Sequence, residues 1–201
     1  TVEQGRNGVG IMFREDCADL STIKVYRFEE KEEGKIIFQD DRMIMITGKF
    51  KGEYMTIVSV YSPTNGSTDK AKEGFYLRLQ EWMRTNLSME YRNCLIVCGD
   101  FNARIGGNED GRFNGCCGRF NMNGKTNDNG ERLLELCLDA ELVVANTIKL
   151  PRVKKNHGTW FHEPSKKWFT IDHILVSKNF RKRIIECEVD NLVDRLWSDH
   201  K

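Results

Sequence analysis

Most apolar residues of this chain fall in short segments whose pattern is typical of β-strands. Residues 54–61 are rich in β-branched and aromatic side chains, which predicts a central strand. Residues 94–99 form a short apolar run, the pattern of a strand that is buried on both faces. Shorter or more polar strands are predicted at residues 8–13, 19–28, 36–38, 42–50, 142–146 and 170–176.

Two segments have apolar residues at helical spacing instead. A helix is predicted over residues 69–87, with one apolar stripe formed by Phe75, Leu79, Trp82 and Met83. A shorter helix is predicted over residues 131–140, with Asn129 as its N-cap. Residues 181–189 fit either a strand or a short helix. The succession of strand, helix and strand over residues 54–99 indicates an α/β architecture.

The buried strand runs directly into the sequence Gly99-Asp100-Phe101-Asn102. Side chains two residues apart on a strand point to the same face, so Asp100 and Asn102 are expected to present their oxygen atoms together. The carboxyl ends of strands are where α/β sheets usually bind ligands. A simpler interpretation is an Asx turn, in which both side chains satisfy local backbone groups, and this stretch alone does not decide between the two.

Two distant segments again place a carboxylate at the end of an apolar or aromatic segment, namely Ile171-Asp172-His173-Ile174-Leu175 and the closing Ser198-Asp199-His200. The three segments, in this order and spacing, resemble the endonuclease/exonuclease/phosphatase superfamily. Within it they are most similar to the endonuclease domains of LINE-type retrotransposons and the host proteins descended from them. The resemblance extends over residues 8–200 and includes Val60-Tyr61-Ser62-Pro63-Thr64, Asn129-Gly130-Glu131-Arg132-Leu133-Leu134 and Gly158-Thr159-Trp160.

The resemblance implies a single domain over residues 1–201. Its expected fold is a four-layered α/β sandwich, in which two mixed β-sheets pack face to face and the helices lie outside. The resemblance also implies hydrolysis of phosphodiester bonds in DNA. Mg²⁺ is the expected cofactor, Mn²⁺ is a possible substitute, and DNA is the expected partner.

Each part of this chemistry has a candidate residue in the strand-end segments. Phosphodiester hydrolysis requires a base for the attacking water, groups that stabilise charge on the phosphate, and help for the leaving oxygen. The resemblance implies that Asp100 accepts the proton of the water and that Asn102 holds the water or a phosphate oxygen. It also implies that Tyr61 donates a hydrogen bond to the phosphate.

The two histidines of these segments have different expected roles. By the resemblance, His200 donates to a phosphate oxygen and Asp172 holds its other ring nitrogen, which fixes the tautomer. Asp199 is expected to help hold the metal together with Asp100 and Asn102. His173 stands where the family often has tyrosine, and strand alternation points it away from Asp172, so it is predicted to lie in the core.

The formal charge is balanced, with 31 basic and 30 acidic residues, but the distribution is uneven. Residues 149–183 contain ten Lys or Arg residues against Glu163 and Asp172, which indicates either a surface for the phosphate backbone or an ordinary solvated surface. The Gly- and Asn-rich residues 104–129 are predicted to form a long loop, either functional or a disordered insertion. The candidate phosphate contacts in these regions are Arg104, Arg112, Arg119, Lys125, Lys154 and Lys155.

The amino end departs from the family pattern. Family members carry an asparagine and the principal metal-binding glutamate on strands that precede the Gly-Val-Gly strand, whereas only seven residues precede Gly8 here. The chain is therefore expected to be truncated at both ends, incomplete at its N-terminus, and impaired in metal binding and activity. The alternatives are a non-catalytic remnant or nucleic-acid-binding module and, within enzymes, a phosphatase of the same superfamily.

The cysteine content indicates the cellular compartment of the protein. The chain has seven of them, an odd number without paired metal-ligand spacing, which indicates reduced thiols. No signal peptide and no membrane-length apolar run is recognisable in the sequence. The expected location is intracellular, in the nucleus, with no membrane partner.

Overall fold

A computed structural model describes residues 8–32, 35–107, 111–118, 124–148, 158–189 and 198–200. These residues contain eight strands and three helices. The strands are β1 (Ala18–Glu32), β2 (Lys35–Phe50), β3 (Glu53–Tyr61), β4 (Leu95–Asp100), β5 (Leu142–Val144), β6 (Trp160–His162), β7 (Lys167–Phe169) and β8 (Asp172–Ser177). The helices are α1 (Asp69–Asn86), α2 (Met89–Asn93) and α3 (Asp128–Asp139). Short 3₁₀ helices cover Glu15–Cys17, Ala145–Thr147, Glu163–Ser165 and Lys178–Arg183.

Six strands form one mixed sheet in the order β1-β2-β3-β4-β8-β5. Strands β3 and β4 are parallel, since the chain crosses over through α1 between them, and the other neighbouring pairs are antiparallel. Strands β6 and β7 form a second, two-stranded sheet. This mixed α/β arrangement of two sheets and helices agrees with the fold class predicted from the sequence.

Helices α1 and α3 share one hydrophobic core with the large sheet. The predicted stripe of α1 is buried and packs in the same cluster as Val58 and Val60 of β3 and Val97 of β4. Helix α3 contributes Leu133 and Leu134 to this cluster. Each such side chain stabilises the fold by about 1.5–3 kcal/mol when it is fully buried. The helices therefore hold β3 and β4 firmly side by side.

The predicted segments 36–38 and 42–50 join into the single strand β2. Asp40, a residue between them, is buried in the structure. Its carboxylate is paired with Arg78 of α1 at 3.0 Å, which allows a charged group to lie inside the packed region. A polar residue that marked a break in the sequence pattern is thus part of the strand.

Two predictions near the chain ends differ from the structure. Residues 8–13 form no strand, and Met12 is 97% exposed, although the Phe13 ring packs against Phe50 of β2 with 5.5 Å between the ring centroids. Within residues 181–189, a short 3₁₀ helix ends at Arg183 and the remainder has no regular structure. No helix in the described part of the chain is both long and apolar enough to span a membrane.

Candidate active site

The ends of three neighbouring strands, β3, β4 and β8, meet on one side of the large sheet. The parallel register pairs Tyr61 of β3 with Asp100 of β4, and the antiparallel register pairs Asp100 with Asp172 of β8. Gly99 is required directly before Asp100, because a Cβ atom there would lie 1.9 Å from the Val60 carbonyl oxygen and its φ is +149°. The sheet therefore brings together three of the residues that the sequence predicted for one site.

Asp100 and Asn102 meet through a turn. Strand β4 ends at Asp100, and Asn102 adopts a left-handed conformation with φ of +49°. The Asn102 backbone N–H donates to Asp100 Oδ1 at 2.8 Å, and its carboxamide nitrogen lies 3.4 Å from Asp100 Oδ2. The Asx turn of the simpler interpretation is thus present, and it is this turn, rather than strand alternation, that joins the two side chains.

Burial sets the electrostatics of Asp100. Removal of its carboxylate from water raises the pKa to about 6, while the hydrogen bond from the Asn102 N–H opposes the rise. Asp172 and Asp199 raise it further through charge repulsion, and His200 lowers it. A buried cluster of negative charge of this kind is stabilised by a bound cation.

His200 and Asp172 form a second pair beside Asp100. His200 Nδ1 lies 3.1 and 3.2 Å from the two carboxylate oxygens of Asp172. This hydrogen bond raises the pKa of His200, and burial of the imidazole opposes the rise. The backbone N–H of Asp172 donates to the hydroxyl oxygen of Thr159 at 3.2 Å. Sequence reasoning gave Thr159 no role of its own.

Asp100, Asp172 and His200 form a group whose ligand atoms all lie within 4.8 Å of one another. It is the one such group of His, Cys, Asp and Glu side chains found among the described residues. The two carboxylates and the neighbouring Asn102 carboxamide are oxygen donors that suit a divalent cation such as Mg²⁺ or Mn²⁺, with water completing the coordination. The residues present therefore fit a metal ion.

Asp199 lies beside this group but is engaged elsewhere. Its Oδ2 accepts a hydrogen bond from the indole Nε1 of Trp160 at 2.9 Å. Its carbonyl oxygen accepts the backbone N–H of Phe161 at 2.9 Å, and Trp160 forms a β-bridge with His200. Strand β6 thus fixes the closing segment that carries His200. The indole partner of Asp199 has no signal in the sequence, because residues 160 and 199 are distant along the chain.

The ring of Tyr61 packs against the guanidinium of Arg42, a contact that the sequence analysis did not predict. The Arg42 guanidinium lies 5.1 Å from the ring centroid, and its Nη1 is 3.5 Å from the Tyr61 carbonyl oxygen. The signal was available in the hairpin register. Counting back along both strands from the paired Phe50 and Glu53 places Arg42 opposite Tyr61.

The predicted phosphate contacts differ in their surroundings. Arg104 is half-buried and lies over the ring of Phe169 at 5.1 Å. Arg112 is paired with Glu135 at 2.7 Å and with Glu131 at 3.3 Å. Lys125 is exposed. Arg119, Lys154 and Lys155 lie outside the described residues, as does part of the basic region.

His173 lies in the core, as predicted from strand alternation. It is buried, and its Nε2 is 2.7 Å from the Ala103 carbonyl oxygen. Its Nδ1 faces the carboxamide of Asn146 at 3.1 Å. Burial lowers the pKa of His173, which favours the neutral imidazole. The histidine next to Asp172 therefore supports the loop after β4 from behind and does not face the site.

Comparisons with known proteins agree with this geometry. Residues 55–201 match a family model described as endonuclease–reverse transcriptase. Craniofacial development protein 2 from Bos taurus is 29% identical over 163 residues, which are 81% of this chain and 26% of that protein. The protein of the same name from Tragulus javanicus is 28% identical over 163 residues, again 81% of this chain and 27% of that protein. The chain thus spans about a quarter of the length of these relatives.

Solved structures share the fold at low sequence identity. The endonuclease domain of TRAS1, a telomere-specific non-LTR retrotransposon, has a TM-score of 0.53 at 15% identity, covering 89% of this chain and 76% of that one. The 3′-5′ exonuclease from Neisseria meningitidis has a TM-score of 0.55 at 22% identity, covering 88% and 67% of the two chains. These neighbours confirm the predicted α/β sandwich. The family match and the shared fold show that this chain belongs to the endonuclease/exonuclease/phosphatase superfamily.

Proposed function

We propose that this protein is a metal-dependent DNA endonuclease of the type found in LINE retrotransposons and host proteins derived from them. The observation that carries the proposal is the group of Asp100, Asp172 and His200 at the sheet edge that also carries Tyr61. In this proposal residues 1–201 act as one domain, located in the nucleus. The name of the TRAS1 neighbour and the basic residues 149–183 support DNA as the substrate.

The cation would be held by oxygen atoms of Asp100, Asn102 and Asp199. Asp199 would act through water, since Trp160 holds its carboxylate. We assign His200 to a phosphate oxygen rather than to the cation, because its hydrogen bond to the Asp172 carboxylate raises its pKa and favours the protonated imidazole, whereas a metal ligand must be deprotonated. The bound cation would supply positive charge that stabilises the phosphate oxygens in the transition state.

The side chains of the site have separate proposed roles in accepting and donating protons. We assign Asp100 to accept the proton of the attacking water; burial raises its pKa to about 6 in the metal-free protein, and a bound cation would lower that pKa and keep the carboxylate ionised. Protonated His200 donates to a phosphate oxygen, and Asp172 keeps its ring in the orientation that exposes Nε2. The Asn102 carboxamide nitrogen donates to the Ser62 carbonyl oxygen at 3.1 Å, and we assign the carboxamide oxygen to the cation. Tyr61, oriented by Arg42, donates to the phosphate.

Plasmid nicking tests the proposal. The chain is expected to convert supercoiled plasmid to the open circle with Mg²⁺ or Mn²⁺, and EDTA is expected to stop the reaction. We expect slow turnover, because the site within the described residues offers few oxygen ligands for an ion that prefers six. DNA binding without nicking under either cation would contradict the proposal and favour a binding module. Hydrolysis of p-nitrophenyl phosphate without nicking would favour a phosphatase.

Arg104 is expected to contact the phosphate backbone more strongly than Arg112, because Arg112 is already paired with two carboxylates of α3. Arg104→Ala should weaken duplex binding several-fold at every sequence, and it should reduce the slope of log K against log salt by about 0.9. Arg112→Ala is the matched control and should leave the slope nearly unchanged. Fluorescence anisotropy of a labelled duplex in EDTA measures both, and equal losses for the two variants would refute the assignment.

A further inference from the structure

The carbonyl group of Asn102 is held by two other asparagines. Asn127 Nδ2 donates to the Asn102 carbonyl oxygen at 3.0 Å, and Asn129 Nδ2 donates to the same atom at 3.4 Å. Asn102 has a positive φ, a conformation that a residue with a side chain seldom adopts without support from its surroundings. The two carboxamides therefore hold the Asn102–Ala103 peptide, and this fixes one side of the left-handed residue whose N–H, in the preceding peptide, bonds Asp100.

Asn127 has two separate functions in the structure. Its Oδ1 accepts the Gly130 N–H at 2.8 Å, which makes it the N-cap of α3, the role that the sequence pattern assigned to Asn129. The same oxygen accepts the Arg104 N–H at 2.9 Å. A helix cap needs only an oxygen acceptor, so the bond from Nδ2 to Asn102 serves the loop after β4 and not the helix.

Asn129 ties together the loops that follow β3 and β4. It is fully buried, and its Nδ2 donates to the Pro63 carbonyl oxygen at 2.9 Å as well as to Asn102. Its own carbonyl oxygen accepts the Tyr76 hydroxyl of α1 at 3.1 Å. The next residue must be glycine, because a Cβ atom on Gly130 would lie 2.2 Å from the Arg104 carbonyl oxygen. The first turn of α3 is therefore pressed against the loop that carries Asn102.

We infer that Asn127 and Asn129 are positioning residues for the candidate active site. They hold the Asn102 carbonyl and so maintain the left-handed backbone of Asn102, in which its N–H keeps the bond to Asp100 Oδ1. The consequence for turnover rests on the proposed endonuclease function, whereas the positioning itself does not. Residues 127 and 129 touch none of the reacting groups, and they act through Asn102.

The chain offers variants that separate positioning from helix capping. Asn127→Asp and Asn127→Ser both retain an oxygen that caps α3, and both lose the carboxamide N–H that holds Asn102. Thr68→Asp is the matched control, because Thr68 is the N-cap of α1, its hydroxyl oxygen accepts the Ala71 N–H, and aspartate preserves that cap while adding the same charge. All three variants are expected to unfold at nearly the temperature of the unmodified chain.

Hydrogen exchange of the Asn102 amide, followed by NMR without metal or DNA, is the deciding measurement. Both Asn127 variants should exchange this amide about 10-fold faster, whereas Thr68→Asp should not change it. Unchanged Asn102 exchange in both variants would overturn the inference. In plasmid nicking, the Asn127 variants should lower kcat about 10-fold with KM nearly constant. Absence of nicking by the unmodified chain would refute the endonuclease function but leave the exchange result to decide the positioning role.

Discussion

Asp100→Asn is expected to reduce metal-dependent plasmid nicking by about 10³-fold or more, because one substitution removes both the general base and a negative charge for the cation. The asparagine oxygen can still accept the Asn102 N–H, so the turn should remain intact. Initial nicking rates at saturating cation measure the effect. Asp139→Asn is the control, because Asp139 ends α3 and is not part of the metal-binding group. A rate within about 10-fold of the unmodified chain would exclude Asp100 as the base.

The same substitution should stabilise the metal-free protein at neutral and alkaline pH. The folded-state pKa of Asp100 is raised from 3.8 to about 6, so the ionised form destabilises the folded state above that pH. This cost declines as the pH falls through about 6, and it is fully lost only below the unfolded pKa of 3.8, where both folded and unfolded states are protonated. With allowance for partial exposure of the carboxylate, the gain for Asp100→Asn at pH 8 should be about 1–2 kcal/mol, or about 3–6 °C in Tm.

Thermal unfolding in EDTA at pH 4 and pH 8 measures this difference. The two proteins should unfold at similar temperatures at pH 4, and the variant should unfold at a higher temperature at pH 8. A variant that is less stable at pH 8 would show that other interactions in the metal-free protein offset the free-energy cost of burying the ionised Asp100 carboxylate. A gain in stability together with a loss of activity is the pattern expected of a carboxylate retained for chemistry.

Asp172→Asn is expected to lower kcat by about 10²–10³-fold with a smaller change in KM, because an amide no longer stabilises the protonated imidazole of His200. The loss of this bond should also lower the pKa of His200, since the hydrogen bond that His200 donates to Asp172 is the main cause of its rise. The alkaline limb of the rate profile should therefore move to lower pH. An NMR titration of the His200 ring in the metal-free protein measures the shift directly.

The double variant Asp172→Asn/His200→Gln tests whether Asp172 acts through His200. If it does, the double variant should be no slower than His200→Gln alone. Multiplicative losses would instead indicate that Asp172 has an independent role, such as a direct contact with the cation.

The His200–Asp172 pair should also make stability depend on pH. Because the pKa of His200 is raised in the folded state, the stability contributed by the pair should be present near pH 6 and should be lost as the pH rises through the raised folded pKa.

The elements that depend on local pattern could be predicted from the sequence. Strand β3 and helix α1 have strong periodicity, and both lie within one residue of the predicted limits. The segment of residues 8–13 has strand-like composition, but a strand also needs a neighbour, which composition does not show. The two predicted segments join into β2 through Asp40, whose buried carboxylate is paired with Arg78, a residue 38 positions away in the chain.

The candidate site was predictable where ordered motifs carried it and not where it depended on tertiary contact. Asp100, Asp172 and His200 follow from three motifs in a recognisable order, and the structure brings them together. The difference between Asn127 and Asn129 was not predictable, because both can cap a helix and the choice depends on where the Arg104 backbone meets α3. The partners of Arg112 and Asp199 likewise come from distant segments.

The bond between the closing segment and β6 has a consequence for the order of folding. In the folded structure the His200–Asp172 contact stands beside two others, the pairing of the Asp199 carbonyl with Phe161 and the pairing of Asp172 with Asp100 across β4 and β8. These contacts join residues far apart in sequence, and loop closure makes such contacts form late. An intermediate with the β1–β3 hairpins and α1 in place would therefore lack the assembled group. The proposed nicking activity should therefore appear only in the last kinetic phase of refolding, after most helical signal has returned.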